Sequence, residues 1–163
     1  MAISKDKKKG ILEKLEKIFS EAKAVAFLNF SGLTVHNATG LRRTLKDAGV
    51  GYFVAKKTLI RKALAGKKID GGLPVLDGEI GVAFSEEPTA PARESHSFAK
   101  KIEKGLRLVG GIFEGKFLDE KTALSIALIP SRKTLEAQFV NLINSPIQRF
   151  VVALSEVAKK KVN

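Results

Sequence analysis

Residues 24–29 read Ala-Val-Ala-Phe-Leu-Asn, five apolar side chains in succession closed by a polar one. A strand sends alternate side chains to opposite faces, so an unbroken apolar run needs cover on both. The run therefore predicts a central strand, buried on both faces, in a sheet with helices packed against it. Its flanks supply the helices. Upstream, Ile11, Leu12, Leu15, Ile18, Phe19 and Ala22 recur at helical spacing with Lys9, Lys14 and Lys17 opposite, predicting a helix from a capping stretch at Ser4-Lys5-Asp6 to about Ala22. Downstream, Gly32 turns the chain and Thr34 caps a helix whose Val35, Ala38, Leu41, Leu45 and Ala48 face the core.

Leu41 to Ala65 then predicts a helix, a turn, a strand and a second helix. Gly49 ends the first helix in the left-handed conformation. Tyr52, Phe53 and Val54 are strand formers; Thr58 opens the next helix and Gly66 closes it. Leu59, Ile60, Ala63 and Leu64 form the core side of that helix, leaving Lys57 and Arg61 four apart on the other. Cations beside helix N-terminal amides suit phosphate oxygens, although charges that merely solvate two amphipathic helices look the same locally. The distribution along the chain separates the two readings. Residues 1–68 hold 16 Lys or Arg and 5 Asp or Glu, a net of +11, whereas residues 69–163 hold 13 and 12, a net of +1. Charge kept for solubility has no reason to segregate; a surface facing a polyanion does. Nucleic acid and an anionic membrane both fit that description.

After a Gly-rich link, Gly66 to Gly78, with Leu73 and Val75 as its anchors, Ile80 to Phe84 is a third strand. Pro88 and Pro91 suit the first turn of a helix running to about Lys104. Leu106 to Phe117 reads as one or two strands, bent or bulged at Gly110-Gly111. Asp119 starts a short helix through Leu128, and Pro130 stops it. Helices alternating with apolar strands predict an α/β fold over residues 1–129, a mixed-sheet sandwich with flanking helices. No internal repeat or low-complexity tract is evident.

Residues 130–163 predict a protruding C-terminal amphipathic helix, kinked or interrupted near Pro146. Ser131 caps a segment with Leu135, Phe139, Leu142 and Ile143 in one stripe; Ser145-Pro146 is a second cap, before Ile147, Phe150, Val151, Leu154 and Val157 in another. Roughly 30 helical residues span about 45 Å, more than the diameter of about 36 Å of a compact domain the size of the preceding one. Unless the tail folds back at Pro146 as a hairpin on its own core, its stripe lacks cover and binds another chain.

A chain of 163 residues with 44% hydrophobic content supplies one ordinary core and an appendage. Cysteine is absent, which excludes disulfides and thiolate metal sites and fits a reducing compartment. The N-terminus lacks a signal-peptide apolar core and no run approaches the roughly 18 apolar residues of a membrane span, so the chain reads as soluble and intracellular. There is no Gly-rich phosphate loop, dinucleotide fingerprint or nucleophile elbow. Ser95-His96 lies in a helical segment, where adjacent residues do not face each other. Asp70, Asp77 and Glu79 read as a solvated acidic loop before a cation site. No catalytic residue, metal site or cofactor is predicted.

Four segments, Phe30-Ser31-Gly32-Leu33-Thr34-Val35, the run Leu41 to Leu64, Gly110-Gly111-Ile112-Phe113-Glu114-Gly115-Lys116 and Leu128-Ile129-Pro130-Ser131, together resemble the bacterial large-subunit ribosomal protein that forms the base of the stalk, the tenth protein of that subunit. The resemblance covers essentially the full length. It departs at Lys57, where the family usually has Lys-Asn-Thr-Leu against Lys56-Lys57-Thr58-Leu59, and at Glu79, where Gly-Pro often stands against Gly78-Glu79. It implies that residues 1–129 bind large-subunit ribosomal RNA beside a second, neighbouring stalk-base ribosomal protein. It implies too that residues 130–163 collect dimers of the acidic stalk protein, through which translational GTPases are recruited. Carried onto matching positions, the RNA set is Arg42, Arg43, Lys56, Lys57, Thr58, Arg61 and Lys62, with Lys7 and Lys8 as weaker members. The stalk-dimer set is Leu135, Phe139, Leu142, Ile143, Ile147, Phe150, Val151 and Leu154. The resemblance further implies a cytoplasmic location on the large subunit, no enzyme activity, no cofactor and no membrane partner. A ribosome-assembly factor with the same N-terminal fold, binding the same RNA transiently, is the alternative; the apolar tail argues against it.

Overall fold

The computed structural model describes residues 5–66, 69–72, 76–102 and 105–162; Ser4, Leu73, Val75 and Lys104, named above, lie outside the described residues. The chain divides into two units, Met1–Ile129 and Pro130–Asn163. The first runs α1 (Lys5–Glu21), β1 (Ala24–Asn29), α2 (Val35–Asp47), β2 (Gly51–Val54), α3 (Lys57–Ala65), β3 (Ile80–Ser85), α4 (Ala90–Lys101), β4 (Arg107–Phe113), β5 (Lys116–Leu118) and α5 (Glu120–Ala127). The second is α6 (Arg132–Val162).

The strands form one five-stranded sheet in the order β2-β3-β1-β4-β5, which puts the apolar run of β1 in the centre. Its alternation divides the interior in two. Val25 and Phe27 join Leu15 and Phe19 of α1 and Ile60, Ala63 and Leu64 of α3 in one core. Ala26 and Leu28 join Leu41 and Leu45 of α2, Ala90 of α4, and Ala123 and Ala127 of α5 in the other. So α1 and α3 cover one face of the sheet, and α2, α4 and α5 the other.

The α/β class and the flanking helices agree with the sequence, but the sheet is not mixed: every pairing between its named strands is antiparallel. β1 and β2, joined through α2, run the same way with β3 inserted between them. β3 and β4, joined through α4, run the same way with β1 inserted. This is a split β-α-β arrangement. A helical crossover fixes the relative direction of the strands it joins without making them neighbours, so alternation along the chain does not reveal the insertion. Among the described residues the isolated bridge between Asp70 and Lys116 is the parallel one.

Local signals set the element ends. The Thr34 side chain accepts from the Asn37 N–H and caps α2. Past its end, Gly49 takes φ +70°; its N–H donates to Lys46 O at 3.0 Å and that of Val50 to Leu45 O at 2.8 Å, the paired closure of a Schellman motif. Between β4 and β5, Glu114 and Gly115 both have positive φ, 49° and 78°, as a two-residue hairpin matched to strand twist requires. Several local expectations fail: Ala48, the C-cap of α2, is exposed instead of facing the core, and Pro88 lies ahead of α4, outside its first turn. Val35 does not face the core but is 84% exposed, because it is the first helical residue, ahead of the turns that Leu41 and Leu45 press on the sheet. Thr58 does not open α3: Lys56 is the cap, with extended backbone and no capping side chain, because the chain leaves β2 only two residues before the helix starts.

α6 begins as expected, with the Ser131 hydroxyl accepting from the Thr134 N–H at 3.4 Å. It then runs 31 residues with Pro146 inside it. Ser145-Pro146 is therefore not a second cap and the tail is not interrupted there. Proline removes the N–H that the Leu142 carbonyl would accept, but α6 is exposed around nearly its whole circumference, so water can serve that carbonyl.

Candidate nucleic-acid interface and apolar helix face

The predicted cations separate into two groups. Lys56, Lys57, Thr58, Arg61 and Lys62 stand at the start and on the outer side of α3, exposed except for the half-buried Lys57. Lys7 and Lys8, also exposed, belong to α1, which packs on the same sheet face. Arg42 and Arg43 are exposed on α2, against the opposite face. In the chain α2 and α3 flank β2, an edge strand whose described pairing is with β3 alone. The Arg42 charge is felt at Tyr52 of β2: burial pushes that phenol above its ordinary value, and Arg42 pulls part of the way back.

Three arginines outside this set are engaged internally. Arg93 holds Glu87 at 3.0 Å and Glu94 at 3.1 Å. Arg107 grips Glu120 through two hydrogen bonds, 2.8 and 3.0 Å, and Arg132 meets Glu136. None of the predicted RNA-facing cations has an ion pair among the described residues. Apart from the half-buried Lys57 they are exposed, and all of them lack an ion-pair partner among the described residues, as phosphate binding needs.

Between these cations and the end of the sheet lies a cleft of about 470 Å³ lined by Phe30, Val54, Ala55, Lys56, Lys57, Gly78, Glu79 and Ile80. Both residues that depart from the resembled pattern, Lys57 and Glu79, line it. Hydrogen bonds tie together the chain segments around it. The Phe30 N–H donates to the Glu79 carbonyl at 3.1 Å; the Asn29 amide donates to the Asp77 carbonyl at 2.9 Å and accepts from the Ser31 N–H at 2.9 Å. Gly78 has φ +73°, and a Cβ there would come 2.5 Å from Asn29 Nδ2. Sequence reasoning missed Phe30 and Glu79 as partners, since β1 and β3 pair only in the folded sheet. Asp70, Asp77 and Glu79 do not gather: no group of three metal-ligating side chains occurs among the described residues.

On α6, Leu135, Phe139, Leu142, Ile143, Ile147, Phe150, Val151 and Leu154 are all exposed, Phe139 at 64% and Phe150 at 65%. Val140, Val152 and Val157 are exposed as well, and the stripes read from the sequence omit Val140 and Val152. The helix also carries a weak recurrence, identical at two of eleven positions, which corrects the expectation that the chain holds no internal repeat. Residues 138–148, QFVNLINSPIQ, and 149–159, RFVVALSEVAK, match at eleven-residue spacing, aligning Phe139 with Phe150, Val140 with Val151 and Ile143 with Leu154. Eleven residues advance a helix about 16.5 Å and turn it about 20° past three full turns. The two patches therefore face nearly the same way.

Comparison with known proteins adds a family. The family model described as Ribosomal protein L10 matches residues 3–100. The large ribosomal subunit protein uL10 of Pelotomaculum thermopropionicum is 32% identical over 160 residues, 98% of this chain and 91% of that protein. The protein of the same name from Delftia acidovorans is 34% identical over 161 residues, 99% and 91% of the two chains. That from Alkaliphilus metalliredigens is 37% identical over 156 residues, 95% and 93%. The family-model match ends before α6, whereas the full-length relatives continue through most or all of it.

Proposed function

This chain belongs to the ribosomal protein L10 family, structural proteins of the large ribosomal subunit and not enzymes, and we propose that it forms the base of the ribosomal stalk. Members of the family are components of a particle that is cytoplasmic in bacteria, and association with ribosomal RNA is typical of them. In this reading, unit 1 holds large-subunit RNA through Arg42, Arg43, Lys56, Lys57, Thr58, Arg61 and Lys62, with Lys7 and Lys8 adding charge on the α1 side. The neighbouring stalk-base protein sits beside it. α6 seats dimers of the acidic stalk protein on Leu135, Phe139, Leu142, Ile143, Ile147, Phe150, Val151 and Leu154, and those dimers recruit the translational GTPases.

The observation that carries the reading is the exposure of large apolar side chains along α6. A helix that shows water this much apolar surface is covered in its working state by another chain. Acidic partners also suit it in charge, because Lys159, Lys160 and Lys161 follow the second patch. Co-sedimentation tests the whole. The protein should stay on mature large subunits and bring the acidic stalk protein with it; retention on precursor particles alone would assign it to assembly instead.

A further inference from the structure

The cleft beside Lys56 and Lys57 combines three chemistries that ordinary solvated helix faces do not bring together. Phe30, Val54 and Ile80 give it apolar wall, with Val54 left 42% exposed although it is a strand residue. Lys56 and Lys57 bring two cations to its lining. Glu79 brings a carboxylate, exposed and without an ion-pair partner among the described residues. A site for phosphate alone would not include that carboxylate, since two like charges repel. A site for an apolar side chain would need neither the lysines nor the glutamate.

We propose that this cleft seats one unstacked nucleobase of a single-stranded RNA loop, and that it prefers guanine. The proposal rests on the ribosomal RNA reading above and names a subsite within it. Sequence-specific RNA recognition works on splayed bases, which stack on aromatic rings and are read by hydrogen bonds to their Watson–Crick edges. Both faces of this sheet are covered by helices, so a base cannot spread across it; the open cleft at its end remains. There the Phe30 ring meets the base, and Lys56 and Lys57 take the phosphates on either side. An ionised carboxylate only accepts hydrogen bonds. Guanine is the RNA base with two adjacent N–H donors, N1–H and the N2 amino group, on its Watson–Crick edge, and these match the two oxygens of Glu79. The hydrogen bonds from Phe30 to Glu79 and from Asn29 to Asp77 hold the walls in place before the base arrives. At about 470 Å³ the volume falls in the range of about 300–1,000 Å³ usual for small-ligand sites.

The chain contains no tryptophan, so Phe30→Trp in the full-length protein places a single indole reporter in the cleft. The probes are RNA heptamers of uridine with one central guanosine, adenosine or cytidine, at low salt. Quenching of the indole should saturate, with the guanosine heptamer bound at least fivefold more tightly than the others. Glu79→Gln in the same background should bring the three within about twofold, and Lys57→Ala should weaken all of them alike. Labelled heptamers with the unsubstituted chain and with Phe30→Ala, read by anisotropy, remove any dependence on the reporter; losing the ring should cost about tenfold. A base preference that is absent in the unsubstituted chain, or that survives Glu79→Gln, overturns the proposal. If no heptamer binds while large-subunit RNA is still retained on a filter, the cleft is not a base site and the RNA reading stands. If the large-subunit RNA fails too, both fall.

Discussion

Gly111 of β4 lies so close to Val25 of β1 that a Cβ on the glycine would stand 2.5 Å from the Val25 carbonyl oxygen. Both residues sit in the interior of the sheet, and the atom in the way is backbone of the central strand, so a side chain cannot be relieved by a rotamer change. Gly111→Ala should lower the unfolding free energy by about 1–3 kcal/mol, the usual cost of overpacking. Gly10, in the interior of α1 with nothing within 4 Å of its missing Cβ, is the matched control of opposite sign. Gly10→Ala should stabilise by roughly 0.5–1 kcal/mol. Urea unfolding followed by far-UV circular dichroism reads both.

Burial raises the Tyr52 phenol above its ordinary value of 10.0, and Arg42 opposes the shift. A raised folded-state value means that the folded protein holds the phenolic proton more tightly than the unfolded chain. The associated stability is fully present below the unfolded value and is lost as pH rises past about 10 through the folded one. Chemical denaturation between pH 8 and 11 should therefore show an alkaline decline that is shallower in Tyr52→Phe. A Tyr52→Phe curve parallel to that of the unsubstituted protein would show the phenol to be solvated.

Tyr52 belongs to the part of the fold that was legible in the chain. An unbroken apolar run such as Ala24–Asn29 has few homes besides a central strand, and Thr34 and Gly49 are chemically suited to the ends they make; α5 also starts after Asp119, although that side chain makes no capping hydrogen bond. Strand adjacency was not legible, because β3 reaches its place between β1 and β2 through tertiary packing. Ser145-Pro146 misled because a serine–proline pair suits a helix start, and only exposure of the surrounding helix makes an internal proline tolerable. The cations could be read as a group, but not their division between two sheet faces, since α2 and α3 are close in sequence and the sheet between them is not. The cleft was illegible for a related reason: Phe30, Lys57 and Glu79 are brought together by three different strand ends.

That division gives a test of how RNA meets the protein. Replacing Lys57 and Arg61 with Ala should flatten the salt dependence of large-subunit RNA binding, by about 0.9 in log–log slope for each duplex phosphate no longer neutralised, or about 0.7 on single strands. Arg42→Ala with Arg43→Ala should do the same from the other face. RNA that meets the β2 edge touches both groups, and well-separated sites act additively, so the fourfold variant should show the sum of the two changes. If one pair leaves affinity and slope untouched, RNA meets one face only and that pair merely solvates its helix.

The tail should separate from unit 1 at Ile129, because residues 1–129 and 130–163 form two separate units. A chain ending at Ile129 should keep its fold and its RNA affinity while losing the acidic stalk protein. Within α6 the eleven-residue recurrence places Phe139 and Phe150 about 16.5 Å apart, and in the proposed reading each anchors one dimer. Phe139→Asp should remove one dimer and Phe150→Asp the other, counted by native mass spectrometry of the co-expressed complex, since an unpaired carboxylate buried in a helix-groove interface is strongly disfavoured. Both side chains are more than half exposed in the free chain, so each variant alone should unfold within about 0.5 kcal/mol of the unsubstituted protein. Because α6 passes through Pro146 unbroken, Pro146→Ala should raise the helicity of the free protein without changing the number of dimers. Phe150→Asp that unfolds the isolated chain, with stoichiometry intact in what stays soluble, would mean that α6 packs on its own chain and that the stalk protein docks elsewhere.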